Sequence, residues 1–336
     1  MNVSLLLTTN FFRTEIYMKY ILTVILTLSL MSCGILLPVK VDDAEDISID
    51  QTPERLARGK YLVENVAGCN DCHSLRDWNL YMAPVKAGTH GAGGEVFNEA
   101  MGAPGVIYAP NITPAALSSW TDGELVRAIT SGVSRDGTPL FPIMPYPNYA
   151  RMSKEDIYSI VAYLRTLKPI ENKVPKRKLN FPMNLIVRTI PKQAEFGELP
   201  YSSDPIAYGK YMTNAAGCTD CHTPMDKGRP LDGMEFAGGY AMSPPTGGTV
   251  NTSNITPHET GIKGWTREGF IMRFKALNNP AAHQAKLEKD QVNTPMPWTY
   301  YAKMEAEDLG AIYDYLMSVP AVDNKVEKYP EASRDN

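Results

Sequence analysis

The sequence is poor in cysteine and histidine, with five of each in 336 residues. Four of the cysteines sit in two pentapeptides of one pattern, Cys69-Asn70-Asp71-Cys72-His73 and Cys218-Thr219-Asp220-Cys221-His222. Only Cys33 is left over, so no pair remains for a structural disulfide. Charge of one sign is also lacking: 33 basic against 37 acidic residues give −4, and nothing suggests a basic surface for nucleic acid. There is no glycine fingerprint of a nucleotide site, and no apolar run reaches the roughly 20 residues that a bilayer requires. Strand-like alternation is weak. What is present, 43% hydrophobic and 21% charged residues, is the composition of a globular chain long enough for two domains.

The apolar run from Ile21 to Met31 follows Arg13 and Lys19 and ends in Leu30-Met31-Ser32-Cys33. It resembles a lipoprotein signal, with Cys33 as the lipidated residue, and it has ordinary proportions when counted from Met18. A retained spanning helix is the alternative, and the run is short for it. Processing here places the bulk of the chain in the bacterial periplasm or cell envelope, held to the membrane through a lipid anchor.

Self-comparison at a shift of about 150 residues orders the chain. Gly59-Lys60-Tyr61 matches Gly209-Lys210-Tyr211, and Ala67-Gly68-Cys69 matches Ala216-Gly217-Cys218, with one residue deleted between them. Asn111-Ile112-Thr113-Pro114 matches Asn254-Ile255-Thr256-Pro257, Trp120-Thr121 matches Trp265-Thr266, and Met144-Pro145 matches Met296-Pro297. Asp156 to Leu164 matches Asp308 to Leu316. These matches divide the chain into a signal (1–33), an acidic spacer (34–53), two units (54–170 and 204–322), a connecting segment (171–203) and a tail (323–336). The connecting segment holds four prolines, and its Phe181, Leu185 and Ile186 predict that it packs along the units.

Helical spacing covers Glu54–Ala67 and Asp204–Ala216, each ending at a glycine before its pentapeptide, and also Asp122–Ser131, Arg267–Leu277 and Asp156–Leu167, the last capped by Ser153. Long glycine-rich loops lie between the pentapeptide and the Trp of each unit, so the expected fold is all-α with long loops, duplicated in tandem.

In C-x-x-C-H the two thiols add to haem vinyl groups, and the histidine becomes the proximal iron ligand. A zinc knuckle would need two such pairs brought together, whereas these lie in separate repeats. Two covalent haems c are the expectation, at Cys69, Cys72 and His73 and at Cys218, Cys221 and His222. The remaining histidines, His90, His258 and His283, do not match between the repeats and read as loop residues. Met144 and Met296 do match, 75 and 78 residues after the first cysteine of their sites. Each precedes proline in a stiffened loop before the closing helix, which makes them the candidate sixth ligands. Trp120 and Trp265 read as haem-edge cover or core, Tyr61, Tyr163, Tyr211 and Tyr315 as packing, Asn111 and Asn254 as turn-formers, and Arg135 as a partner for a propionate.

Tyr108-Ala109-Pro110-Asn111-Ile112-Thr113-Pro114 and Pro142-Ile143-Met144-Pro145-Tyr146, taken with the haem sites and the closing helices, resemble the cytochrome c subunits of bacterial membrane-bound alcohol, aldehyde and gluconate dehydrogenases. The resemblance covers about 54–322 and implies two class I cytochrome c domains with His/Met-ligated iron. It implies an electron-transfer subunit rather than an enzyme: a dehydrogenase as donor, and a quinone, oxidase or small cytochrome as acceptor. Those subunits commonly hold three haem domains, and this chain has two. A haem enzyme such as a diheme peroxidase is the alternative. It requires an iron position that is open or easily vacated, which the two matched methionines oppose.

Overall fold

Glycine decides where the helices cross. In the computed structural model, which describes residues 18–21, 41–289 and 291–330, helix α1 (Pro53–Tyr61) crosses a later helix of its own half at Gly59. A Cβ at Gly59 would lie 1.9 Å from the Ser159 carbonyl oxygen, so the two backbones touch. The second half repeats the crossing: a Cβ at Gly209 would lie 1.9 Å from the Ala311 carbonyl oxygen. The signal residues and Cys33 lie outside the described residues. No helix among the described residues is long and apolar enough to cross a membrane.

In the first half α1 is followed by α2 (Cys69–Cys72), α3 (Asp122–Ser131), the one-turn α4 (Tyr146–Tyr149) and α5 (Lys154–Leu164). Their counterparts are α6 (Pro205–Ala215), α7 (Cys218–His222), α8 (Arg267–Lys275), α9 (Trp298–Tyr301) and α10 (Ala306–Ser318). Starts are marked by side-chain caps. Thr52 accepts from Arg55 N and Asp204 from Ala207 N, each with proline at the first helical position. Thr121 and Glu124 form a capping box, and Ser153 accepts from Asp156 N.

The one-residue difference between the repeats has a structural location. Between α1 and Gly68 the chain forms a π-helical turn, Leu62–Val66, closed by Ala67 N donating to Leu62 O. The wider turn takes up one residue more than an α-turn does. In the second half α6 stays α-helical as far as Ala215 and has one residue fewer before its glycine.

One apolar cluster runs through both halves. It includes Leu62, Val63, Val66, Ile157, Ile160 and Val161 from the first, and Met212, Ala215, Leu309, Ile312 and Leu316 from the second. The halves are also tied reciprocally. The Tyr61 hydroxyl donates to Asp308 and the Tyr211 hydroxyl to Asp156, each across to the other half's closing helix. Those tyrosines therefore join the halves as well as fill space.

Strands are short and lie within the long loops. β1 (Val96–Phe97), β2 (Gly105–Tyr108) and β3 (Lys178–Leu179) form an antiparallel sheet in that order, while β4 (Met225–Asp226) pairs with β5 (Arg229–Pro230) and β6 (Ala241–Met242) with β7 (Val250–Asn251). Runs of two to four residues are too brief for apolar alternation to mark them. Through β3 the connecting segment lies along the first half, but not by the residues expected: Phe181 is 80% exposed and Ile186 42%, while Val187 is buried. Backbone pairing, not those apolar side chains, holds the segment down. The acidic stretch before α1 is likewise laid on the body, since Ile49 is buried and its N–H donates to Asp122.

Candidate functional site

Each pentapeptide starts from a left-handed glycine, Gly68 (φ 57°) or Gly217 (φ 67°), which ends the preceding helix and turns the chain into α2 or α7. A single helical turn puts residues i and i+3 on one face, so Cys69 and Cys72 share a side, as do Cys218 and Cys221. All four are free cysteines, and burial pushes each thiol up to about 12.

The histidines are oriented identically. His73 Nδ1 lies 2.7 Å from Pro110 O, and His222 Nδ1 lies 2.7 Å from Ser253 O. A carbonyl only accepts, so Nδ1 carries the hydrogen and Nε2 keeps its lone pair. Burial lowers the pKa of both rings and keeps them neutral. Two half-buried thiols on one face, beside a neutral imidazole with a free Nε2, form a donor set that fits covalent haem attachment.

The loop that supplies each carbonyl is fastened by residues common to both halves. Gly93 (φ 71°) and Gly238 (φ 71°) donate N–H to the carbonyls of His73 and His222. A Cβ on either would meet backbone, 2.5 Å from Asn111 N or 2.3 Å from Ser253 C. Asn111 Oδ1 accepts from both Thr113 N and Oγ1, and its Nδ2 donates to Ile170 O; Asn254, Thr256 and Val322 repeat the set. These asparagines are therefore buried struts as well as turn-formers. Asn172 and Asn324, which self-comparison left out, donate to Ala92 O and Ala237 O. The signal was present: Asn172-Lys173-Val174 matches Asn324-Lys325-Val326, extending the repeat into the connecting segment and the tail.

Met144 and Met296 are half-buried and pack against the shared core. The one-turn helix after each methionine returns to its own attachment site: Tyr149 donates to Ala67 O, and Tyr301 to Ala216 O at 2.6 Å. Each one-turn helix also reaches the attachment turn of the other half. Asn148 Nδ2 donates to Asp220 Oδ2 at 2.6 Å, and the Tyr300 ring lies against Gly68.

One feature belongs to the first half alone. The Arg76 side chain is 5% exposed and pairs with Asp71 at 2.9 Å and Glu95 at 3.3 Å, both also buried, while stacking 4.1 Å from the Trp78 ring. Trp78 Nε1 donates to Glu95 at 2.7 Å. Met225 and Tyr240 occupy the matching positions of the second half.

The remaining candidates separate. Trp120 packs against the core and, with Glu124, Ser134, Arg135 and Asp136, lines an open cleft, whereas Trp265 is 41% exposed. Arg135 donates to Ser119 and sits 3.7 Å from Glu124. His90 is exposed, His258 faces Thr260 and Asp323, and His283 Nε2 donates to Leu277 O.

No family model matches the chain. Curated relatives do. The chain is 27% identical over 284 residues to the cytochrome c subunit of a quinone-dependent alcohol dehydrogenase from Gluconobacter oxydans, covering 80% of this chain and 55% of the relative. It is 28% identical over 279 residues to the fructose dehydrogenase cytochrome subunit of Gluconobacter japonicus, covering 79% and 53%. It is 27% identical over 279 residues to a diheme cytochrome c of Cereibacter sphaeroides, covering 76% and 83%. The chain is thus similar, over most of its length, to cytochrome c subunits of bacterial dehydrogenases and to a diheme cytochrome c. It spans about half the length of the two dehydrogenase subunits.

Proposed function

We propose that this chain is a diheme cytochrome c, built of two class I cytochrome c domains, that carries single electrons from a periplasmic or membrane-bound dehydrogenase to a respiratory-chain acceptor. The observation that carries the reading is the duplicated donor set: two C-x-x-C-H turns, each with its imidazole Nδ1 tied to a carbonyl at 2.7 Å. Haem c, when bound, supplies a one-electron iron couple. The chain's own part would be to attach it through Cys69 and Cys72 and through Cys218 and Cys221, and to hold its iron through Nε2 of His73 and His222 and the thioethers of Met144 and Met296. Ligation by methionine together with histidine would raise the reduction potential, which suits an acceptor of electrons from a dehydrogenase. The similarity to dehydrogenase cytochrome subunits supports the donor, and the 83% span of the diheme relative supports the count of two. The acceptor is a quinone, an oxidase or a small cytochrome.

The test is the visible spectrum of the purified protein together with haem stoichiometry. Two haems per chain are expected, both low-spin at rest, with a weak sulfur-to-iron charge-transfer band. Met144→Ala and Met296→Ala should each remove about half of that band. High-spin iron in the resting wild type would overturn the carrier reading in favour of a haem enzyme. For the anchor, Cys33→Ser should move the protein from membrane to soluble fraction.

A further inference from the structure

The loop that carries Met296 is fastened by a residue that reaches into the other half. Asn293, three residues before Met296, has no exposed surface. Its Oδ1 accepts from Met82 N at 3.0 Å and from Thr294 N at 2.8 Å, while its Nδ2 donates to Trp78 O at 3.1 Å and Leu80 O at 2.9 Å. Two acceptors face the amide nitrogen and two donors face the amide oxygen, so the side chain is fully satisfied in one orientation only.

The partner loop is demanding. Met82 (φ 65°) and Ala83 (φ 43°) are non-glycine residues in the left-handed region, and both are buried. Such backbone persists only where its surroundings hold it. Part of that hold comes from the second half: Tyr81 N donates to Ala285 O at 2.7 Å, and Leu287 N to Asn79 O at 3.3 Å. From Trp78 the contacts continue through Glu95 and Arg76 to Asp71, inside the first attachment turn.

The first half does not need this device. Phe141 stands where Asn293 does, and the Met144 loop is closed within its own half by Met144 N to Phe141 O and Leu140 N to Gly132 O.

We propose that Asn293 is the positioning residue for Met296, so that the sixth ligand of the second haem is held in place by the first half of the chain. This rests on the reading of Met296 as that ligand. Loss of the amide frees the loop between α8 and α9, and the methionine then gives way to water or an added ligand, while the first haem keeps Met144.

The experiment uses the full-length holoprotein, with haem content measured first, and compares Asn293→Ala with Met296→Ala and Met144→Ala. Asn293→Ala should lose the second haem's half of the charge-transfer band. It should also bind added imidazole at that haem at least tenfold more tightly than wild type, with the Met144-dependent half of the band intact. A wild-type band and wild-type imidazole affinity would overturn the proposal, as would equal loss from both haems, which signals general loosening. If Asn293→Ala loads haem poorly, Asn293→Ser is read by the same criteria. Should Met296→Ala itself leave the band unchanged, the ligand reading fails instead.

Discussion

The Tyr211 hydroxyl lies 2.6 Å from Asp156 Oδ2, joining the first helix of the second half to the closing helix of the first; Tyr61 and Asp308 make the reverse link. Each carboxylate has one further partner from its own half: Arg58 bonds Asp156 through two nitrogens, and Tyr208 bonds Asp308. Hydrogen bonds to a buried carboxylate contribute more than neutral ones, so Tyr61→Phe and Tyr211→Phe should each cost about 1–3 kcal/mol. Chemical-denaturation midpoints of the two variants should show it. Their haem content should stay that of the wild type, because neither hydroxyl touches an attachment site.

The same ties set an alkaline limit. Burial and the neighbouring carboxylates push Tyr208 up to about 12, and Tyr61 and Tyr211 further. In the unfolded chain tyrosine titrates near 10. A folded-state pKa raised above the unfolded one gives stability that is complete below about pH 10 and lost as pH rises through the folded values. Denaturation midpoints measured from pH 8 to 12 should therefore fall beyond about pH 10, and the double variant Tyr61→Phe/Tyr211→Phe should fall less steeply. A flat profile for the wild type would contradict the assignment.

The attachment turns, the matched methionines and five of the six longer helices were legible because each depends on local spacing. Asp122–Ser131 was predicted with the bounds observed, and in the structure the Thr121 and Glu124 box forms its start and Gly132 its end. The π-helical turn could be counted as a one-residue mismatch but not located, because composition does not distinguish an extra residue in a helix from one in a loop. The reciprocal tyrosine bonds were hidden for another reason. Within one repeat Tyr61 and Tyr211 read as packing, and the partner of each lies in the other copy, about 250 and 55 residues away. Asn293 had no matched partner at all, so a search for symmetry passed over it.

The close crossings predict a sharp intolerance. Gly59→Ala or Gly209→Ala places a methyl 1.9 Å from a carbonyl oxygen of the facing helix, where only backbone could yield. Overpacking of this kind typically costs about 1–3 kcal/mol, and more where backbone must move. Each substitution should lower the thermal midpoint markedly, with that effect far larger than for Gly233→Ala, whose Cβ would meet nothing within 4 Å. Gly233 has a left-handed φ of 73°, a strain that Gly59 and Gly209 lack, yet its loss should still be the smaller one.

The Arg76 cluster makes a prediction with a pH signature. Asp71 and Glu95 are both buried and share this one guanidinium; among the described residues the Glu95 side chain accepts otherwise from Trp78 and the Arg76 amide. Removing one partner of a buried ionic group leaves uncompensated charge, at a cost of about 3–5 kcal/mol. Arg76→Met keeps most of the apolar volume and deletes only the charge and its donors, so it should lose stability on that scale near neutral pH. Burial already raises the Asp71 pKa, and Arg76 opposes that rise. Without the arginine the Asp71 carboxyl is raised further above its unfolded value, so the variant's folded state is favoured by protonation. Its stability deficit should shrink as pH falls from 7 toward 5. Arg76→Met/Glu95→Gln, which removes one of the orphaned charges, should recover part of the loss at pH 7. A deficit independent of pH, unrelieved by the second substitution, would mean that the guanidinium acts through packing against Trp78 rather than through its charge.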